Sequence, residues 1–205
     1  MLVMKKKPDQ HGKITPTIKR CIPVWDSLTA GYLILTYVDV YVTQVKVSTE
    51  SEETQPWYAW PSYVPLEFHD LWQLPNGHPY NKGHTEGIPK WMNPWAIKTP
   101  PGYSTLILQP MHHPSIFTIL PGIVDTDRYN ATINFPFMLN NINFEGLIPA
   151  GTPIAQIIPF KRESWKNTIQ TTGELLQKSF EDKLFINNRF FDKYKKSFWQ
   201  RKEYS

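Results

Sequence analysis

The sequence predicts a mainly β protein that ends in a helical extension. Three observations carry this expectation. Short runs rich in Val, Ile, Tyr and Thr alternate between apolar and polar residues. Turn signals built on Pro and Gly separate those runs, and after Arg162 the apolar residues change to helical spacing. At 205 residues the chain can bury one sizeable core with appendages around it.

Residues 1–20 are polar and patternless, and read as a basic N-terminal arm. A β domain is expected over 21–162, with strands dominating 22–47. The turn at Thr29-Ala30-Gly31 leads into one strand, Tyr32-Leu33-Ile34-Leu35, and Asp39 to Val47 alternates as a half-buried strand does. Residues 48–95 read as an ordered but irregular insertion. Five of the eight tryptophans lie here (Trp57, Trp60, Trp72, Trp91, Trp95), too many for a solvated linker. Seven prolines from Pro56 to Pro94 argue against long helices and central strands. His69, His78 and His84 fall in the same segment at spacings of nine and six, which match no metal signature.

Short strands resume at Thr105–Gln109, Phe117–Leu120, Ala131–Phe137 and Ile154–Phe160. Pro100-Pro101-Gly102, Pro121-Gly122 and Pro149-Ala150-Gly151 mark the turns between them. Many short strands at such intervals predict a sandwich or barrel. From 163 to 205 a helical, basic extension is expected. Ile169, Leu175, Leu176, Phe180, Leu184 and Phe185 suit an amphipathic helix with Gly173 as its flaw, and Phe190 to Trp199 suit a second.

Charge is unevenly placed. Residues 1–20 carry a net +5, residues 186–205 a net +4, and residues 21–185 a net −5. The ends are therefore suited to phosphate or an acidic partner, or else are solvated tails, and any nucleic-acid contact is expected only through them. No run approaches the roughly 18 apolar residues of a membrane span, so no membrane role is expected. The lone cysteine, Cys21, and the lack of an apolar run after Lys5-Lys6-Lys7 point to the cytoplasm.

Two segments suggest a site. In Gly122-Ile123-Val124-Asp125-Thr126-Asp127-Arg128-Tyr129-Asn130 an apolar strand end delivers Asp125 onto a polar turn. A carboxylate anchored in this way can orient a water, and a nearby tyrosine can stack on a sugar or base. In Leu147-Ile148-Pro149-Ala150-Gly151-Thr152-Pro153-Ile154-Ala155-Gln156-Ile157-Ile158-Pro159-Phe160 a glycine turn enters an apolar strand bearing one amide, Gln156, which requires a hydrogen-bond partner if buried. Ordinary turn chemistry and an outward-facing glutamine explain the same residues equally well.

Taken together, the two segments resemble the third and fourth motifs of the dUTPase and dCTP deaminase superfamily. Arg128 and Tyr129 stand in swapped order, Asn130 replaces a glycine, and the fourth motif lacks its Asp-Arg pair. Thr29-Ala30-Gly31-Tyr32 resembles the start of the first motif, with Leu33 at the usual aspartate position. Thr99 to Leu108 resembles the strand leading to the second motif, where Pro110-Met111-His112-His113 replaces Pro-Arg-Ser-Ser. The likeness is collinear from about 22 to 160, leaves 48–95 unmatched and lacks the fifth motif. A fainter likeness to uncharacterised phage and marine bacterial proteins implies no chemistry, and a viral origin would place the protein in host cytoplasm.

The resemblance implies a dUTPase-like β-barrel or distorted jelly roll, a homotrimer with sites between subunits, and a nucleotide or other small molecule as ligand. It assigns Asp125 to water orientation if the protein is active. It assigns Asp127, Arg128, Tyr129, Gln156 and His112 to nucleotide binding, with Mg²⁺ present if a nucleoside triphosphate is bound. The lost second-motif Arg and Ser weaken the phosphate grip, because Met111 cannot donate and His112 does so only when suitably protonated. Arg128, Lys98, Lys161 and Arg162 are the candidate replacements. His112-His113 as a shared metal contact is disfavoured, because neighbours on a strand face opposite ways. The implied function is nucleotide binding with lost or altered catalysis, for sensing or sequestration. A structural or interaction protein that reuses the fold, or an active nucleotide pyrophosphatase or deaminase, are the alternatives.

Overall fold

The computed structural model describes residues 21–73, 87–169, 173–187 and 193–202. Two compact units result: Gly31–Arg162, and the residues up to Ala30 together with those from Glu163 onward. The first unit is the β body. Its strands are β1 (Tyr32–Leu35), β2 (Val40–Lys46), β3 (Thr54–Ala59), β4 (Leu66–His69), β5 (Ile88–Trp91), β6 (Tyr103–Leu108), β7 (Phe117–Ile119), β8 (Gly122–Val124), β9 (Phe135–Leu139), β10 (Gly146–Ile148) and β11 (Pro153–Lys161).

These strands form three antiparallel sheets, ordered β1-β11-β6-β8, β10-β2-β3 and β4-β5-β9-β7. The protein is mainly β as expected, but among the described residues no sheet closes into a barrel. Alternation along β2 shows how the pattern builds the core: Val40 and Val42 are buried while Tyr41 and Thr43 face outward. Trp91 anchors that core. Its ring stacks on Phe137 at 4.8 Å, and Phe117 tilts against both at 5.3 Å. Tyr58 meets Phe137 edge-on at 6.1 Å. Such aromatic pairs add to simple area burial.

Glycine is required where β1 begins. Gly31 has φ +66, and a Cβ there would lie 1.9 Å from the carbonyl oxygen of Ile157, the β11 residue paired with Tyr32. Only a residue without a side chain lets the first strand approach β11 this closely.

Several expectations need correction. Strands are expected to dominate 22–47, but Ile22–Thr29 forms a helix, α1, with proline in its first turn, where the missing N–H costs nothing. The segment 48–95 is more regular than expected, since it supplies β3, β4, β5 and a 3-10 turn at Leu71–Gln73. Its prolines do not exclude an interior strand. β5 lies between β4 and β9 although Pro89 is within it, because the β5–β9 pairing covers only Lys90 and Trp91. Pro89 pairs on the β4 side alone, with Phe68. Of its five tryptophans, Trp91 is buried and Trp60 packs against the core, while Trp57, Trp72 and Trp95 are half exposed or more. The expected strand at Ala131–Phe137 is displaced to Phe135–Leu139. His78 and His84 lie outside the described residues.

The second unit contains α2 (Gly173–Asn187), with Gly173 as its first described residue, and α3 (Lys193–Ser197). Phe190 and Phe191 lie outside the described residues. Leu175, Leu176, Phe180 and Leu184 of α2 are exposed, whereas Phe185 meets Phe198 at 6.3 Å. Asp26 of α1 joins the tail: it accepts hydrogen bonds from Trp199 Nε1 at 2.9 and 3.1 Å and from Lys202 Nζ at 2.5 Å. Among the described residues no helix is long and apolar enough to cross a membrane.

Candidate functional site

Strand alternation places the two aspartates after β8. Thr126 is fully buried, and its hydroxyl bridges Thr99 at 2.7 Å and Thr105 at 2.8 Å. Driving the middle residue inward leaves Asp125 and Asp127 pointing away from that hydroxyl cluster. The turn then closes, with the amides of Arg128 and Tyr129 both donating to the Asp125 carbonyl at 2.9 Å. Asp125, Asp127, Arg128 and Tyr129 are thereby brought together.

The two carboxylates have different surroundings. Asp127 has a side chain only 6% exposed and is clasped by Arg162, with Nη1 donating to Oδ1 at 2.8 Å and Nη2 donating to Oδ2. Gly102 N–H adds a third bond to Oδ2, at 2.9 Å. These donors, the Arg162 bonds foremost, hold the Asp127 carboxyl far below the usual carboxylate range. Asp125 is 59% exposed. Its Oδ1 accepts from the Ser104 hydroxyl at 2.6 Å and from Arg162 Nη1 at 3.1 Å. The Ser104 bond is the main reason its acidity is also raised, with Arg162 contributing and burial and the Asp127 charge opposing. Its second oxygen accepts no hydrogen bond among the described residues.

Arg162 is thus the hub of the cluster. It leaves the end of β11, donates to the Tyr103 carbonyl at 2.9 Å and to Ser104 Oγ at 3.1 Å, and spans both aspartates. Lys98 donates to the Asp127 carbonyl at 2.8 Å and to Asn130 Oδ1 at 2.6 Å. Two of the four candidate phosphate-binding cations therefore hold the turn itself. Sequence reasoning misses Ser104 and the Gly102 amide. The one signal for them is a charged residue, Arg162, closing an otherwise apolar strand.

Gln156 and His112 stand elsewhere. Gln156 is buried, and its Oε1 accepts from the Met111 amide at 2.9 Å, fastening β11 to the turn that carries His112. His112 adopts a left-handed backbone, φ 59, and is exposed. In the sheet register Gln156 lies opposite Leu108, whereas Asp125 lies by Ser104 at the other end of β6. Four residues of strand separate them, roughly 13 Å at about 3.3 Å per residue. One copy of the chain does not gather its six candidate residues into one pocket.

Among the described residues no three His, Cys, Asp or Glu side chains converge on a metal position. For Mg²⁺ the fit is partial. Asp127 has both oxygens committed, leaving Asp125 as the single carboxylate available to a cation held mainly by substrate phosphates. No protein-family model matches the chain, and no curated protein or solved structure matches it either.

Proposed function

We propose that this protein binds a nucleotide through a dUTPase-like distorted jelly roll, with catalysis lost or altered, and that it senses or sequesters its ligand. The observation that carries this reading is the state of Asp125. Its exposed carboxylate is fixed by Ser104 and Arg162 and kept ionised by them. Such a group is a good hydrogen-bond acceptor for a sugar hydroxyl or an ordered water. It is a poor general base, because base catalysis is most effective when the pKa lies near the working pH. Tyr129, half exposed and next to the same turn, offers a ring face for a base or sugar.

The separation of Asp125 from Gln156 and His112 fits a homotrimer in which each site draws the Asp125 turn from one copy and the Gln156 turn from the next. Mg²⁺, held by Asp125 and by ligand phosphates, would supply the charge neutralisation that the missing second motif no longer gives.

The test is a thermal-shift series with deoxynucleoside mono-, di- and triphosphates, with and without Mg²⁺. A ligand at 100 times its dissociation constant adds about 2.7 kcal/mol. Without Mg²⁺, Asp125→Asn should retain or improve affinity, because one anion facing the phosphates is removed; with Mg²⁺ it should lose the gain that the cation gives the wild type. If the wild type hydrolyses dUTP or dCTP and Asp125→Asn is folded but inactive, the protein is an active pyrophosphatase or deaminase.

A second reading has its own observation. Tyr41 and Trp57, each about half exposed, share the outer face of the β10-β2-β3 sheet with Leu147, which pairs directly with Tyr41. An aromatic sheet face of this kind suits a structural or interaction protein built on the same fold. Failure of every nucleotide to shift the melting temperature would favour that reading.

A further inference from the structure

We propose that the second unit, made from α1 and the C-terminal tail, is a binding surface for single-stranded nucleic acid, separate from the Asp125 turn. Residues 193–202 contain Lys193, Lys195, Lys196, Arg201 and Lys202 and no acidic residue. Asp26 seats this run on α1 by accepting from Trp199 and Lys202. Residues 1–20, with a net charge of +5, lead directly into the same helix at Cys21. The fold therefore seats the basic run of the tail on α1, with the carboxylate of Asp26 already engaged by it.

Like charges gathered in this way repel unless a polyanion covers them, and a nucleic-acid backbone supplies the complementary charge. The aromatic residues specify the kind of polyanion. Trp25, beside Asp26 on α1, is 58% exposed, and Tyr194 and Phe198 are also exposed. Exposed rings set among lysines suit unpaired bases, which stack on aromatic faces while the backbone follows the cations. Lys195 and Lys202 already lie 5.8 and 5.7 Å from the Trp199 ring centre, so the cations and rings occupy one locality. A lipid surface fits less well. α3 is only five residues long, and the exposed apolar residues of α2, Leu175, Leu176, Phe180 and Leu184, lie among Glu174, Glu181 and Asp182, which an anionic membrane repels. The β body, residues 31–162, carries seven Lys/Arg against ten Asp/Glu, a net −3 that disfavours polyanion binding there.

The test is fluorescence anisotropy of the full chain with a 5′-labelled oligothymidylate of about 20 nucleotides, from 50 to 200 mM NaCl. Phosphate-binding cations on single strands give a log–log salt slope of about −0.7 each, so four of them predict about a fiftyfold loss of affinity over that range. Combining Lys195→Glu with Lys196→Glu should weaken binding and leave only about a sevenfold salt dependence. Trp25→Ala should weaken binding about tenfold while leaving the salt slope unchanged, because it removes stacking and not charge. Circular dichroism checks that both variants remain folded. Absence of binding at 50 mM NaCl overturns the proposal, as does a salt slope unchanged by the double lysine substitution. Flotation with phosphatidylserine-containing vesicles, without oligonucleotide binding, overturns it too and assigns the surface to a membrane.

Discussion

Arg162 and Asp127 form a two-pronged ion pair, with both guanidinium Nη atoms engaging both carboxylate oxygens of a side chain that is almost wholly covered. The pair joins the end of β11 to the turn after β8, across β6. It therefore holds the Asp125 turn to the sheet. Arg162→Ala would leave Asp127 covered and unpaired, and the melting temperature should fall by several degrees. Arg162→Lys keeps the charge but loses the planar fork, and should recover only part of that loss. Differential scanning calorimetry of the three proteins checks both outcomes.

The same pairing makes stability depend on acidity. Asp127, Asp125 and Asp26 all have folded-state acidities raised by their partners: chiefly Arg162, Ser104 and Lys202 respectively. A carboxyl whose pKa is depressed on folding stabilises the protein above the unfolded value of about 3.9. That contribution disappears as pH falls from there toward the folded pKa. Melting temperature should thus be insensitive to these groups above about pH 5 and fall steeply below about pH 4. Asp127→Asn should start lower and show a shallower acid decline.

Ser104 has a narrower effect. Ser104→Ala removes the leading cause of the lowered Asp125 pKa while leaving the Arg162 contact in place. The Asp125 titration, followed by carboxyl-carbon NMR, should move upward. If Asp125 acts only as an anionic acceptor, nucleotide affinity at neutral pH should change little.

The core rests on stacked rings. Trp91→Ala would remove the ring that lies against Phe137 and Phe117, and a cost of about 3–5 kcal/mol is expected for truncating a buried large aromatic. Urea denaturation measures it, and Trp91→Phe should recover much of the loss.

Two glycines give a contrast. Gly31→Ala combines a left-handed backbone with a collision against the Ile157 carbonyl, and should cost at least about 2 kcal/mol by forcing β1 away from β11. Gly151 has φ +85, but a Cβ there would meet no atom within 4 Å. Its substitution by alanine should cost only the left-handed strain, about 1–2 kcal/mol. Denaturation midpoints of the two variants give the comparison.

Much of the body is legible in the sequence because its signals are local. The alternation of Val40 and Val42 with Tyr41 and Thr43 marks β2, and the turn at Gly151 marks the start of β11. The helix at Ile22–Thr29 is hard to read, since Val24, Trp25 and Leu28 also suit a strand and Pro23 near its start is the one local sign of a helix. Pro89 misleads because proline's cost depends on which side of the strand lacks a partner, a fact of register between distant segments. The site shows the same division. The Asp125 turn is readable from its own residues, but Arg162 and Ser104 reach it from other strands. Gln156 is readable as a buried amide, yet its distance from Asp125 depends on the pairing of β6 with β11.

The bond between Asp26 and Lys202 has a consequence in time. The two residues are 176 positions apart, so during synthesis α1 emerges long before the partner that fastens it. At about 5–20 residues per second the interval is roughly 9–35 s. The last strand of the β body is complete once Arg162 has been made, 40 residues and roughly 2–8 s before Lys202. Lys202 can therefore fasten α1 only after every strand of the β body has been synthesised.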